Sequence, residues 1–399
     1  MGLKMIPQIN NPNLSIKKLK FNSFEEVENI GLSAYSNKNQ ISLGFMPKKE
    51  KEFTEEIEKI YKIDNGFIAF TKDGKFTKLY NEKTEKILGL LLDKPPLITY
   101  INYNGEKRLI AIVKDRCLFL DGNREYLNIF EGTNYIQVGA NLYAIYKNGV
   151  VFANVNDFFS KQDIDLISYI GVVTGGKILN LTCQKDRLFI FTEKVIYSLS
   201  KNDTSSDYAL TKVYEHGVKI LKNSIVKVGE DIYFLDEKNR LCCLQNSSVK
   251  EMLVLSKFNG KILGAFKHLD NLIYCLGDTS IYINAVEKIA YEMDTENKEF
   301  ICGEFLFSKE ENALYSLTKQ GGSVKIDNIY LGKNAHLERI KFVTSSLCVV
   351  EILGRFGVKK IYAGKGCIDI KLNLYSDIFS FKFDFLEDGK MQDFEIEYS

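Results

Sequence analysis

The sequence predicts an all-β protein: a β-propeller of six or seven blades, with an N-terminal arm before it and a C-terminal β extension after it. Three observations predict this fold. Paired apolar runs joined by short polar or glycine turns, the pattern of a β-hairpin, recur seven times along the chain. Their first apolar residues are Phe67, Leu109, Leu142, Leu188, Ile232, Leu272 and Leu314, a spacing of about 41 residues that suits one four-stranded sheet per repeat. The hairpin strands are also apolar on both faces, as in Leu188, Phe189, Ile190 and Phe191. Each sheet then needs cover on both sides, which sheets stacked around an axis supply.

Taken in order, residues 1–62 read as a polar arm. Within it, "KKEKEFTEEIEKIYK" (Lys48 to Lys62) places Phe53, Ile57 and Ile60 at helical spacing among charges, which predicts a short helix with a solvated face. All five prolines precede residue 97, so the strand ladders beyond are uninterrupted. Residues 63–330 hold the hairpins and, between them, weaker strand-like runs such as "ILNLTC" from Ile178 and "EMLVL" from Glu251, giving about four strands per repeat. Residues 331–399 read as closing blade strands or as a small β-domain. There Phe379, Phe381, Phe383 and Phe385 alternate with Ile378, Ser380, Lys382 and Asp384, as in a sheet with one wet face. Acidic residues outnumber lysines from Asp377 onward, so that strand is expected to present a negative outer face.

Composition narrows the function. The chain has 399 residues, 45% of them hydrophobic, enough to bury a sizeable core. Lys plus Arg number 53 against 52 Asp plus Glu, so no global field draws the chain to nucleic acid or to an anionic membrane. No apolar run reaches the roughly 18 residues needed to span a bilayer, and the opening lacks the apolar centre of a signal peptide. Synthesis in a cytoplasm and no membrane insertion are expected. The eight cysteines form no C-x-x-C pair and read as core thiols. Cys242 and Cys243, adjacent on a strand, are expected to point to opposite faces. Only three histidines are present, far apart in sequence, which poorly supplies imidazole or metal catalysis.

Two motifs invite chemistry. "GVVTGGKI", Gly171 to Ile178, matches a phosphate-binding G-x-x-x-x-G-K loop except that Ile178 stands where the magnesium-binding hydroxyl belongs, and a β-rich run follows instead of a helix. It reads as a glycine turn leading into a strand. "NVNDFFSKQDID", Asn154 to Asp165, offers oxygen ligands without the glycine and glutamate of a calcium loop, and reads as a polar loop. The chain has no tryptophan and lacks Asp boxes and Trp-Asp repeat elements. No catalytic, cofactor-binding or metal-ligating residue is assigned, and the chain is not expected to be an enzyme.

The segment "GVVFANVNDFFSKQDIDLISYIGVVTGGKILNLTCQKDRLFIFTEKVIYSLS", Gly149 to Ser200, resembles the repeating core of the packaged-DNA stabilisation, tail-adaptor and tail-nozzle propellers of short-tailed phages. In that family a strand runs into an Asn/Asp-Phe loop, then a Gly-Gly turn, then a dry strand ending in Arg-Leu-x-x-Phe. "YEHGVKILKNSIVKVGEDIYFLDEKNRLCCL", Tyr214 to Leu244, is similar to the following blade, "ENIGLSAYSNKNQISLGFMP" to the N-terminal segment, and "DGKMQDFEIEYS" to the closing strand. The chain departs from the family in having no blade tryptophan and a lysine-rich N-terminus.

The resemblance implies a structural virion protein of the neck or tail. It would be made in the host cytoplasm and assembled as a homo-oligomeric ring, a hexamer or dodecamer, below the portal. Its partners would be portal or adaptor and tail proteins, with genomic DNA passing through without sequence-specific binding. Near-zero net charge suits a wall along which DNA slides. The strand from Asp377 is then a candidate channel-facing or ring-joining edge. A cellular propeller serving as an interaction scaffold, or a glycan-binding propeller, remains the alternative, since a fold does not dictate function.

Overall fold

The computed structural model describes residues 45–80, 83–87, 94–120, 126–172, 174–201, 208–255, 261–285, 289–319, 322–386 and 390–399, together with short strands at 8–10, 17–20, 27–29, 32–34 and 40–42. Among the described residues, consecutive antiparallel strands form seven four-stranded units, numbered here as blades 1 to 7 at 57–87, 97–128, 133–171, 178–215, 226–254, 264–294 and 299–319. Residues 299–319 supply only three of the strands of blade 7. Its fourth is Phe45–Glu52, paired along Ala313–Lys319. The protein is an all-β propeller.

Each pair of neighbouring blades shares an apolar core, and the cores close a circle. Strand Arg187–Thr192 of blade 4 shows why its residues are apolar on both faces. Leu188 and Ile190 pack with Tyr143, Val150 and Phe152 of blade 3, whereas Phe189 and Phe191 pack with Ile232 and Phe234 of blade 5. Cys242 and Cys243 divide in the same way, the first toward blade 4 and the second toward blade 6. At the closing seam, Ile57, Ile60 and Ala69 of blade 1 meet Phe307 and Leu314 of blade 7.

The predicted helix over Lys48–Lys62 does not form; that stretch is two strands, Phe45–Glu52 and Ile57–Ile63. The helical spacing has a specific cause. The pairing of Ile57–Ile63 with Gly66–Thr71 shifts between Ile57 and Lys59, so Glu58 is an extra residue. A bulge of this kind brings Ile57 and Ile60 onto one face, toward blade 7, and leaves Ile63 on the other, toward blade 2. Blade strands therefore reach back to Phe45, into the region expected to be an arm. The seventh hairpin was also misplaced: Leu314 lies on the third strand of blade 7, and Leu306 occupies the position equivalent to Leu272.

Beyond Lys319 the chain builds a β-unit with its own core rather than a closing blade strand. Two long strands, Gly322–Thr344 and Gly366–Phe385, pair antiparallel and bend at register shifts around Ile326–Ile329 and Tyr330–Ala335. Past the bends each serves a different sheet partner: Cys348–Gly354 joins one half and Lys390–Tyr398 the other. The halves face each other across Phe342, Phe381, Phe383 and Phe394, with Phe381 and Phe383 each 5.2 Å from the Phe394 ring. Strands Val27–Asn29 and Leu32–Ala34 tie this unit to the propeller, pairing with Gly322–Thr344 on one side and with Ile289–Asp294 of blade 6 on the other.

Candidate assembly surface

The segments singled out from the sequence take structural posts. Gly175 and Gly176 adopt φ values of 95° and 88° between the last strand of blade 3 and Ile178–Gln184, the first strand of blade 4. A side chain at Gly175 would place its Cβ 2.3 Å from Thr192 Oγ1, so glycine is required by close approach as well as by φ. Asn154–Asp165 is not a polar loop. Asn154 caps helix Val155–Lys161, whose Phe158 and Phe159 are buried in the core shared by blades 2 and 3.

The strand from Asp377 is not an edge, which corrects that expectation. Its Ser380–Phe385 portion is flanked on one side by Gly322–Thr344 and on the other by Cys348–Gly354. Two of the acidic groups from Asp377 onward are ion-paired: Asp384 with Lys382 at 2.8 Å, and Glu397 with Lys341 at 3.1 Å and Arg339 at 3.7 Å. The thiols of Cys117, Cys242 and Cys348 are buried and pushed up to about 12, 12 and 11 by that burial, whereas Cys367 is exposed, unlike a core thiol.

A recurring device sits where the second strand of a blade turns into the third. In blades 1, 4, 5 and 7 a buried polar side chain there accepts from the backbone of the turn: Thr71 from Lys75 N, Thr192 from Val195 N, Asp236 from Lys238 N and Arg240 N, Ser308 from Glu311 N. In blade 5 this cap becomes a clamp between blades. The Asp236 carboxylate, fully buried, also accepts from His216 Nε2 at 2.8 Å and Arg240 Nε at 2.7 Å, while the Tyr214 hydroxyl lies 3.1 Å from His216 Nδ1. Burial pushes this carboxyl up, but hydrogen bonds from His216 and Arg240 outweigh it and hold it below the ordinary aspartate value. His216, Asp236 and Cys242 lie close enough to ligate one ion. However, the Arg240 guanidinium already holds the carboxylate, and the Cys242 thiol is held protonated by burial, so the geometry is that of a structural clamp. The pairing joins residues 20 positions apart, Asp236 and His216, and leaves no local mark in the sequence.

The outward-facing chemistry lies on the C-terminal unit. Among the described residues, strand Gly357–Ala363 pairs only with Cys348–Gly354, which leaves its other edge open. Phe356 and Tyr362 are each 82% exposed and Val358 54%. The hairpin tip Arg355-Phe356 lies between the paired Gly354 and Gly357, and the Ser376 hydroxyl, itself buried, accepts from Arg355 N at 2.9 Å and steadies it. The flanking glycines in "GRFG" are the sequence signal for this two-residue turn.

No family model and no curated protein matches the chain. Among solved structures it is similar to BBS1N in complex with ARL6DN, at 10% identity and a TM-score of 0.48, covering 68% of this chain and 97% of that one. It is similar to Raptor of Chaetomium thermophilum, at 10% identity and a TM-score of 0.48, over 69% of this chain and 30% of that one. The computationally designed Ika8 protein matches at 8% identity and a TM-score of 0.41, over 69% and 100%. These likenesses concern backbone shape alone.

Proposed function

We propose that this chain is a structural virion protein of a phage neck or tail, one subunit of a ring below the portal that continues the DNA channel and helps retain the packaged genome. The observation that carries the reading is the open edge of the C-terminal unit. Sheet edges are normally blunted or covered, and an edge bearing exposed Phe356, Val358 and Tyr362 fits a surface that assembly covers. The near balance of 53 basic against 52 acidic residues agrees with a channel component that does not grip phosphate strongly. Electron micrographs of the purified protein test it: closed rings of about six or twelve copies, the number the resemblance implies, are expected, together with recovery of the chain from purified virions. A strictly monomeric protein absent from virions would overturn it.

A further inference from the structure

Between blades 6 and 7, at the face where second strands turn into third strands, a cavity of about 510 Å³ opens. Phe266 and Phe300 line it as a stacked pair 5.5 Å apart, beside half-exposed Leu263. The rim carries Asp278, Glu299 and Glu310, none of which has an ion-pair partner among the described residues. The two rim lysines are engaged: Lys298 Nζ donates to the Glu296 carbonyl at 2.9 Å and lies over the Tyr315 ring, and Lys309 pairs with Glu58. What faces a ligand is therefore an aromatic floor with a negative rim.

The hairpin tip on the C-terminal unit has the opposite character. Arg355 and Phe356 project together, both exposed, with Lys359 on the strand that follows; Arg355 has no ion-pair partner among the described residues. A cation beside an aromatic ring, on a turn already fixed by Ser376, can place the ring on the Phe266–Phe300 floor and the guanidinium among the rim carboxylates. We infer that the Arg355-Phe356 tip of one copy docks into the cavity between blades 6 and 7 of the next copy. The inference rests on the ring reading and supplies its contact. Tip and cavity are different patches of one surface, so the contact is head-to-tail, the kind that closes into a ring when its rotation divides the circle.

Two double variants test it. Arg355→Ser with Phe356→Ser removes the tip, and Glu299→Lys with Glu310→Lys reverses the rim. Each is expected to weaken self-association at least about tenfold, measured by sedimentation of the full chain. Mixed together, the two variants keep one good tip and one good cavity between them and are expected to stop at a dimer. Glu131→Lys, in the comparable cavity between blades 2 and 3, is the control expected to assemble normally. A photo-crosslinking residue at position 356 of an otherwise native chain is expected to label the segment around Phe300 in a neighbouring copy. Rings persisting in both double variants, or crosslinks only elsewhere, overturn the contact and leave the ring reading standing. A wild-type chain that never associates overturns both.

Discussion

Asp236→Ala probes the clamp between blades 4 and 5. The carboxylate is fully buried and accepts from His216, from the Arg240 side chain and from two backbone amides. Its loss strands those donors together with a guanidinium that is 28% exposed and so partly able to turn to water. Removing one member of a buried pair costs roughly 3–5 kcal/mol, and the partial exposure of Arg240 places this case near about 3 kcal/mol. In a chain of this size that corresponds to a fall of roughly 4–5 °C in the melting midpoint. Urea titration followed by far-ultraviolet circular dichroism measures it, since the chain has no tryptophan.

The pH dependence adds a second handle. The folded-state value of Asp236 lies below that of the unfolded chain, so its stabilisation is present above about pH 4 and is lost as the pH falls through the lower folded value. The stability gap between wild type and the variant is therefore expected to be flat from pH 7 to 5 and to narrow in stronger acid. A loss below about 1 kcal/mol, no more than one ordinary hydrogen bond contributes, would show that the turn resolvates and that no clamp exists.

Gly175→Ala forces a Cβ to within 2.3 Å of Thr192 Oγ1 at a φ of 95°, and a loss of about 2 kcal/mol or more in urea titration is expected. Phe381→Ala empties the ring cluster of the C-terminal unit and is expected to cost about 3–5 kcal/mol, with proteolysis of native protein beginning beyond residue 319. Thiol labelling of the native chain is expected to reach Cys367 first. Cys117, Cys242, Cys243, Cys275 and Cys348, with thiols pushed up to between about 11 and 12, are expected to react only on unfolding.

What could be read from the sequence was what strands carry locally. The run Leu188 to Phe191 required cover on both faces, and blades 3 and 5 supply it. The alternation from Ile378 to Phe385 gave the buried ring ladder of Phe379, Phe381, Phe383 and Phe385. What escaped depended on distant partners. Ile57 and Ile60 mimic a helix because a bulge adds one residue to their spacing, and only the pairing with Gly66–Thr71 reveals it. The strand beginning at Asp377 looked like an edge because Cys348–Gly354 and Gly322–Thr344, which enclose it, carry no local mark of that pairing. The Arg355-Phe356 tip was written in its flanking glycines, but its exposure depends on the outer side of Gly357–Ala363 having no strand partner among the described residues.

The strand that completes blade 7 comes from near the start of the chain, so Lys49 meets Glu311 across 262 positions of sequence. Such closure is slow, because the entropy of so long a loop is lost before the contact stabilises anything. During synthesis, blades 1 to 6 emerge while the circle is still open, with the apolar face of blade 1 around Ile57 and Ile60 bare and no seventh sheet to cover it. That interval, ending only when Ala313–Lys319 can receive Phe45–Glu52, is when nascent copies are most exposed to pairing with one another, and its length sets how much of the newly made chain reaches the closed fold.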